Sequence, residues 1–148
     1  MSLVEVALGQ LVKVAIDLLS NDLLNSRKRL GRQFYALYVA LEDCQEAYRR
    51  SYCRDAKDDE EFFQIASAEY KQSLKILGDR YLKVRRALRI YAKDVHNEIP
   101  TYLKMPHSSP IEIVRKMQKD DSNEEDYQKI TANLEKFIRE NFKVDEIF

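Results

Sequence analysis

Apolar side chains return every seven residues from position 63 to position 95. Phe63, Tyr70, Leu77, Val84 and Tyr91 form one series, and Leu74, Tyr81, Leu88 and Val95 fill the complementary heptad positions. A strand repeats its face every second residue and a helix every three to four, so this spacing predicts one long packed helix. The same spacing occurs upstream in Leu30, Phe34, Leu37, Leu41, Cys44 and Tyr48. Two long helices with matching apolar seams are expected to lie against each other. Three glycines and three prolines in 148 residues are too few for the turns of a sandwich or barrel. The expected fold is therefore all-α: an up-and-down bundle of four main helices at about 3–19, 23–54, 59–98 and 123–142, with a short helix near 110–119, as one domain over residues 1–148.

Local signals set these boundaries. Ser2 and Glu5 make a capping box for the first helix. Apolar residues cover most of that helix and leave a narrow polar strip through Glu5, Gly9, Lys13 and Asp17. So wide an apolar face is expected to pack across the bundle, and the interrupting charges argue against a membrane span. A membrane surface is not the expected partner either. Helix two contains Gly31, which costs about 1 kcal/mol relative to alanine, so a kink or restart is expected there. The polar run Lys57 to Glu61 gives a short connection and antiparallel neighbours. Pro100 bounds helix three near Glu98. Ser109-Pro110-Ile111-Glu112 starts the short helix, and a second box at Ser122-Asn123-Glu124-Glu125 opens the last one. Ile65, Ile76, Leu82 and Ile90 add apolar surface outside the main seam, which favours a multi-helix bundle over a bare two-stranded coiled coil.

Global charge excludes little. The 25 basic and 25 acidic residues cancel, so any affinity for nucleic acid must rest on local charge. From Lys71 to Lys93 there are eight basic residues and one acid, Asp79. Within that run Lys83, Arg85, Arg86, Arg89 and Lys93 form the candidate binding cluster, suited to phosphates if they line one surface. Residues 119 to 146 hold five basic and nine acidic residues, and these acids are expected to balance the basic helix within the chain or between subunits.

Arg89 and His96 are seven residues apart, hence on one helix face about two turns from each other. An arginine can hold phosphate while a histidine moves a proton. The spacing is similar to the arginine-x4-6-histidine signature of the HEPN superfamily of helical RNases. That resemblance implies metal-independent RNA cleavage at a dimer interface, with Arg89 and His96 as the catalytic pair. The chain departs from the pattern at Ile90, where members often carry a polar residue.

Other chemistries find less support. A di-iron bundle site needs glutamate three residues before histidine, and Lys93 and Lys104 stand there before His96 and His107. The two cysteines and two histidines lack zinc spacing, and no nucleophile elbow or glycine-rich phosphate loop occurs. No metal and no cofactor is expected. Cys44 and Cys53 lie about 13 Å apart on one predicted helix and cannot bridge within it, so free thiols point to a reducing, cytoplasmic setting. The tyrosines on the seams are expected at core edges, where their hydroxyls find partners. Seams and helix one offer more burial surface than the site residues offer chemistry. The expectation is therefore a non-enzymatic interaction or scaffold module whose partner is another protein or a second copy in a homodimer. The alternative is a HEPN-like helical protein that cleaves or binds RNA.

Overall fold

The computed structural model describes residues 3–19, 24–52, 59–97, 99–103, 110–118 and 123–142. Five α-helices account for almost all of them: α1 (Leu3–Leu19), α2 (Leu24–Ser51), α3 (Glu60–His96), α4 (Pro110–Met117) and α5 (Glu124–Asn141), with a 3-10 turn at Thr101–Leu103. The described residues include no strand. This is the expected all-α bundle, with helix ends within a few residues of those read from the sequence.

The caps explain the small differences. Asp59 starts α3 from extended backbone, its carboxylate accepting the Phe62 N–H at 3.1 Å, and Glu60 and Glu61 follow in the first turn. At the other end Asn97 adopts the left-handed conformation (φ 56°) and donates its N–H to Lys93 O at 3.2 Å. Asparagine tolerates that region, so the helix closes at His96 rather than running on toward Pro100. The capping box of α5 is Asn123 with Asp126, not Ser122 with Glu125. Both need a cap and a carboxylate three residues on, and the asparagine pair satisfies that one position later. Ser2, Ser109, Ser122 and Glu98 lie outside the described residues. No restart occurs at Gly31: α2 is continuous through it, held by Leu30 and Phe34, which are fully buried on either side.

The α2 and α3 seams pack against each other along their length. Tyr48 meets Tyr70 and Arg50 reaches Glu69 at one end, while Leu30 lies beside Ile90 and Tyr91 at the other, so the pair is antiparallel. Helix α5 also runs antiparallel to α2: Arg49 pairs with Glu124, Phe34 packs edge-on to Phe137 at 4.9 Å, and Arg27 Nε donates to Asn141 O at 2.9 Å. Helix α1 crosses α3, α4 and α5, tied to α5 by Glu5 and Lys129 at 3.3 Å. Its wide apolar face is buried as expected through Val4, Leu8, Leu11, Ala15 and Leu18, leaving Val6 and Ile16 outside.

The core is the predicted seam with two corrections. Leu74, Leu77, Tyr81, Val84, Leu88 and Tyr91 are buried, but Phe63 is 45% exposed, so packing on α3 begins near Ala66. Ile65, Ile76 and Ile90, expected inside, are 55%, 40% and 42% exposed. Ile76 sits at the edge of α3 beside Ala47 and Arg50 of α2, and Ile90 beside Ile99 and Ile111, so both are partly covered and Ile65 is the most exposed of the three. Tyr48 and Tyr70 are half-buried at the core edge as expected, whereas Tyr81 and Tyr127 are fully buried, with hydroxyls satisfied by other tyrosines, Tyr81 with Tyr102 at 2.8 Å and Tyr127 with Tyr70 at 2.6 Å.

At Gly78, α4 packs close against α3. A Cβ there would stand 2.5 Å from Val114 Cγ1. Gly78→Ala should therefore lower stability by a net ~1–2 kcal/mol, since the contact penalty outweighs the gain in helix propensity. Thermal unfolding checks this, and adding Val114→Ala should recover most of the loss. An unchanged or raised midpoint for Gly78→Ala alone would contradict the close approach.

Candidate basic groove on helix α3

Residues 82, 85, 86, 89, 90 and 93 fall at helical spacing on one flank of α3. With Ile99 beyond the cap and Ile111 on α4 they enclose a groove of about 520 Å³. Leu82, Ile90, Ile99 and Ile111 make its apolar walls, and Arg85, Arg86, Arg89 and Lys93 bring four cations to it. The 3-10 turn and α4 create the second wall by folding back along α3, which the Gly78–Val114 contact permits.

Arg85 is the unusual member, only 2% exposed. Its NH1 donates to the Tyr81 hydroxyl at 3.0 Å and its NH2 to the Tyr102 carbonyl at 2.7 Å, while the guanidinium carbon sits 4.6 Å from the Tyr102 ring centroid. Nε has no hydrogen-bond partner. Every group named here is neutral, so a buried cation is held by dipoles and a ring face, without a counter-ion among the described residues. Burial pushes the Tyr102 hydroxyl's pKa well above its ordinary value, reinforced by the hydrogen bond with Tyr81 and opposed by the Arg85 charge. The network fastens the 3-10 turn to α3 and leaves positive potential at the groove.

The predicted cluster divides in the structure. Arg86, Arg89 and Lys93 are exposed and line the groove with Arg85, whereas Lys83 is exposed on the outer face of α3 beside Ile76 and Ile90. The Arg89–His96 pair is only half described. Arg89 lines the groove and His96 occupies the last turn of α3, but the histidine side chain lies outside the described residues, as do His107 and Cys53. Of the nine acids in residues 119–146 expected to balance the basic helix, Asp120, Asp121, Asp145 and Glu146 lie outside the described residues. Among the described residues the acids of α5 pair with Arg49, Lys136 and Arg139, and none pairs with a basic residue between Lys71 and Lys93. The reason is geometric: α5 lies along α2, and the basic flank of α3 faces away from it.

Sequence reasoning missed Ile99, Ile111 and Tyr102. Each is close to α3 only through the fold-back of the chain, which no local pattern announces. The described residues contain no cluster of His, Cys, Asp and Glu able to hold a metal, and no helix among them is long and apolar enough to cross a membrane. Set against known proteins, the chain matches no family model, no curated protein and no solved structure.

Proposed function

We propose that this protein is a non-enzymatic helical interaction module that self-associates and uses the free side of α3 as its working surface. The observation that carries this reading is the combination on one helix of exposed isoleucines with cations that no described carboxylate neutralises. Apolar side chains interleaved with unpaired charge suit a protein partner, which can bury the first and neutralise the second. The chain's zero net charge supports a second copy as that partner, because each surplus of basic residues is matched by acids elsewhere on the same molecule.

Light scattering over a concentration series from about 10 to about 500 µM tests it, a range suited to a micromolar-class equilibrium. The expected result is a rise in mass toward twice the monomer value, reduced by added salt. A constant monomer mass throughout would refute self-association.

The cations of the groove favour a second reading, RNA binding through Arg86, Arg89 and Lys93, since a row of this kind suits phosphates. Mixed single-stranded RNA separates the two. Under the first reading the protein leaves RNA intact and shows no steep salt-dependent affinity for it. Cleavage lost in His96→Ala would instead support the HEPN-like alternative.

A further inference from the structure

The groove between α3 and α4 makes two demands on whatever enters it. At about 520 Å³ it has the size of a small-molecule site, and its walls are aliphatic: Leu82 and Ile90 from α3, Ile99 beyond the cap and Ile111 from α4. Ile90 and Ile111 are exposed, so apolar surface at the rim stands open to water. The charged lining is cationic throughout, and no described acid belongs to it.

Arg85 separates this groove from an ordinary solvated patch. Exposed cations on a helix flank are hydrated and screened, and they need no partner. Arg85 is buried, its Nε lacks a hydrogen-bond partner, and the groups that hold it, the Tyr81 hydroxyl with the Tyr102 carbonyl and ring, bring no negative charge. A charge withdrawn from water is costly unless an opposite charge reaches it. Arg85 contributes to the groove wall, so an anion lodged there meets a charge that salt screens little. The exposed cations add a point of attachment. Arg89 has Arg86 one turn before it and Lys93 one turn after it, and three long side chains at this spacing can close on one anionic group.

We infer that the groove is a binding site for a small amphipathic anion taken from solution, a carboxylate head on a single aliphatic chain. The head is held at Arg89 between Arg86 and Lys93, and the chain lies against Ile90, Ile99 and Ile111. This goes beyond the self-association proposed above and stands separately from it. Simpler occupants satisfy only one of the two demands. A bare inorganic anion would leave the aliphatic walls wet, and a neutral oil would leave the cations uncompensated. A nucleotide or RNA would find no aromatic face in the lining for its bases. A membrane surface is broad, whereas this site is walled by two helices and runs only about 16 Å from residue 82 to residue 93.

Isothermal titration calorimetry on the full chain with decanoate, kept below its micelle range, tests the site. Acetate supplies the head alone, and decylammonium supplies the same chain under the opposite charge. Decanoate should bind saturably, and the two other probes about tenfold more weakly or worse. Arg89→Glu should weaken decanoate binding by about tenfold or more by opposing the head, and Ile111→Asp should do the same by charging the aliphatic wall. Both positions are exposed, and circular dichroism should show an unchanged helical fold. Absence of saturable decanoate binding, equal binding of acetate or decylammonium, or indifference to either substitution would overturn the inference. So would a chain that sediments with vesicles of phosphatidylglycerol while ignoring dissolved decanoate, because the cations would then serve a membrane surface. The monomer or dimer mass seen by light scattering bears on none of these outcomes, so the two proposals fail separately.

Discussion

Phe34→Ala should lower the free energy of unfolding by about 3–5 kcal/mol, the largest effect expected of a single truncation in this chain. Phe34 is fully buried, and its ring meets Phe137 at 4.9 Å with planes 64° apart and Phe142 at 6.1 Å. Phe137 and Phe142 pack at 5.7 Å and 87°, so three rings from α2 and the end of α5 share one cluster. Removing the central ring leaves a void between two helices that are tethered by polar contacts at either end, Arg49 with Glu124 and Arg27 with Asn141 O. Those tethers limit collapse of the void, which places the cost high in the usual range. Phe34→Leu retains most of the volume and should cost less than half as much. Urea unfolding followed by helical circular dichroism reads both, because the chain contains no tryptophan. A loss below about 1 kcal/mol for the alanine variant would mean that α5 does not depend on this cluster.

Alkaline pH should destabilise the fold through Cys44. The thiol is fully buried on the α2 seam, and burial pushes its pKa up to about 12, opposed by a hydrogen bond with Ser73 and reinforced by the Asp43 charge. In the unfolded chain it titrates near 9. The folded state therefore keeps its proton where the unfolded state has lost one, so stability is full below pH 9 and falls as pH rises toward 12. By pH 10.5 the loss from this group alone is about 2 kcal/mol. Other groups titrate in the same interval, so the informative quantity is the difference between wild type and Cys44→Ala. The variant should start less stable at pH 8 and show a shallower decline. Parallel curves for the two proteins would mean that the thiol ionises equally well in both states. The same burial should make Cys44 unreactive toward thiol reagents until the protein unfolds.

The bundle itself was legible because it is written in burial periodicity. Leu30, Phe34, Leu37 and Leu41 on α2, and Leu77, Tyr81, Val84 and Leu88 on α3, recur at the spacing that a helix repeats, and all are buried. Periodicity alone could not decide where the apolar surface ends. Phe63, Ile65, Ile76 and Ile90 look like core residues by composition, yet a helix whose neighbours cover only part of its circumference must leave some of a wide apolar face outside. Caps were legible as a class and ambiguous by one residue, since Ser122 and Asn123 both precede acids at the required distance.

The basic cluster was visible as a run of charge, but its division was not. Arg85 is the clearest case. Next to Arg86 in sequence, it turns inward because Tyr81 and Tyr102 supply a hydroxyl, a carbonyl and a ring face in the interior. Tyr102 contributes through a turn seventeen residues downstream. A count of acids in residues 119–146 likewise carries no position: the described ones sit on α5, which is laid along α2, where Arg49 takes Glu124.

The intimacy of Gly78 with Val114 imposes a compromise on the longest rod of the molecule. Thirty-seven residues of α3 would be stiffest with a side chain at every position, yet the midpoint must stay bare so that a short neighbour can nestle against it. The place where this spine is intrinsically weakest is thus the place where another segment braces it, and loosening the brace would expose a ready-made flexure at the centre of the fold.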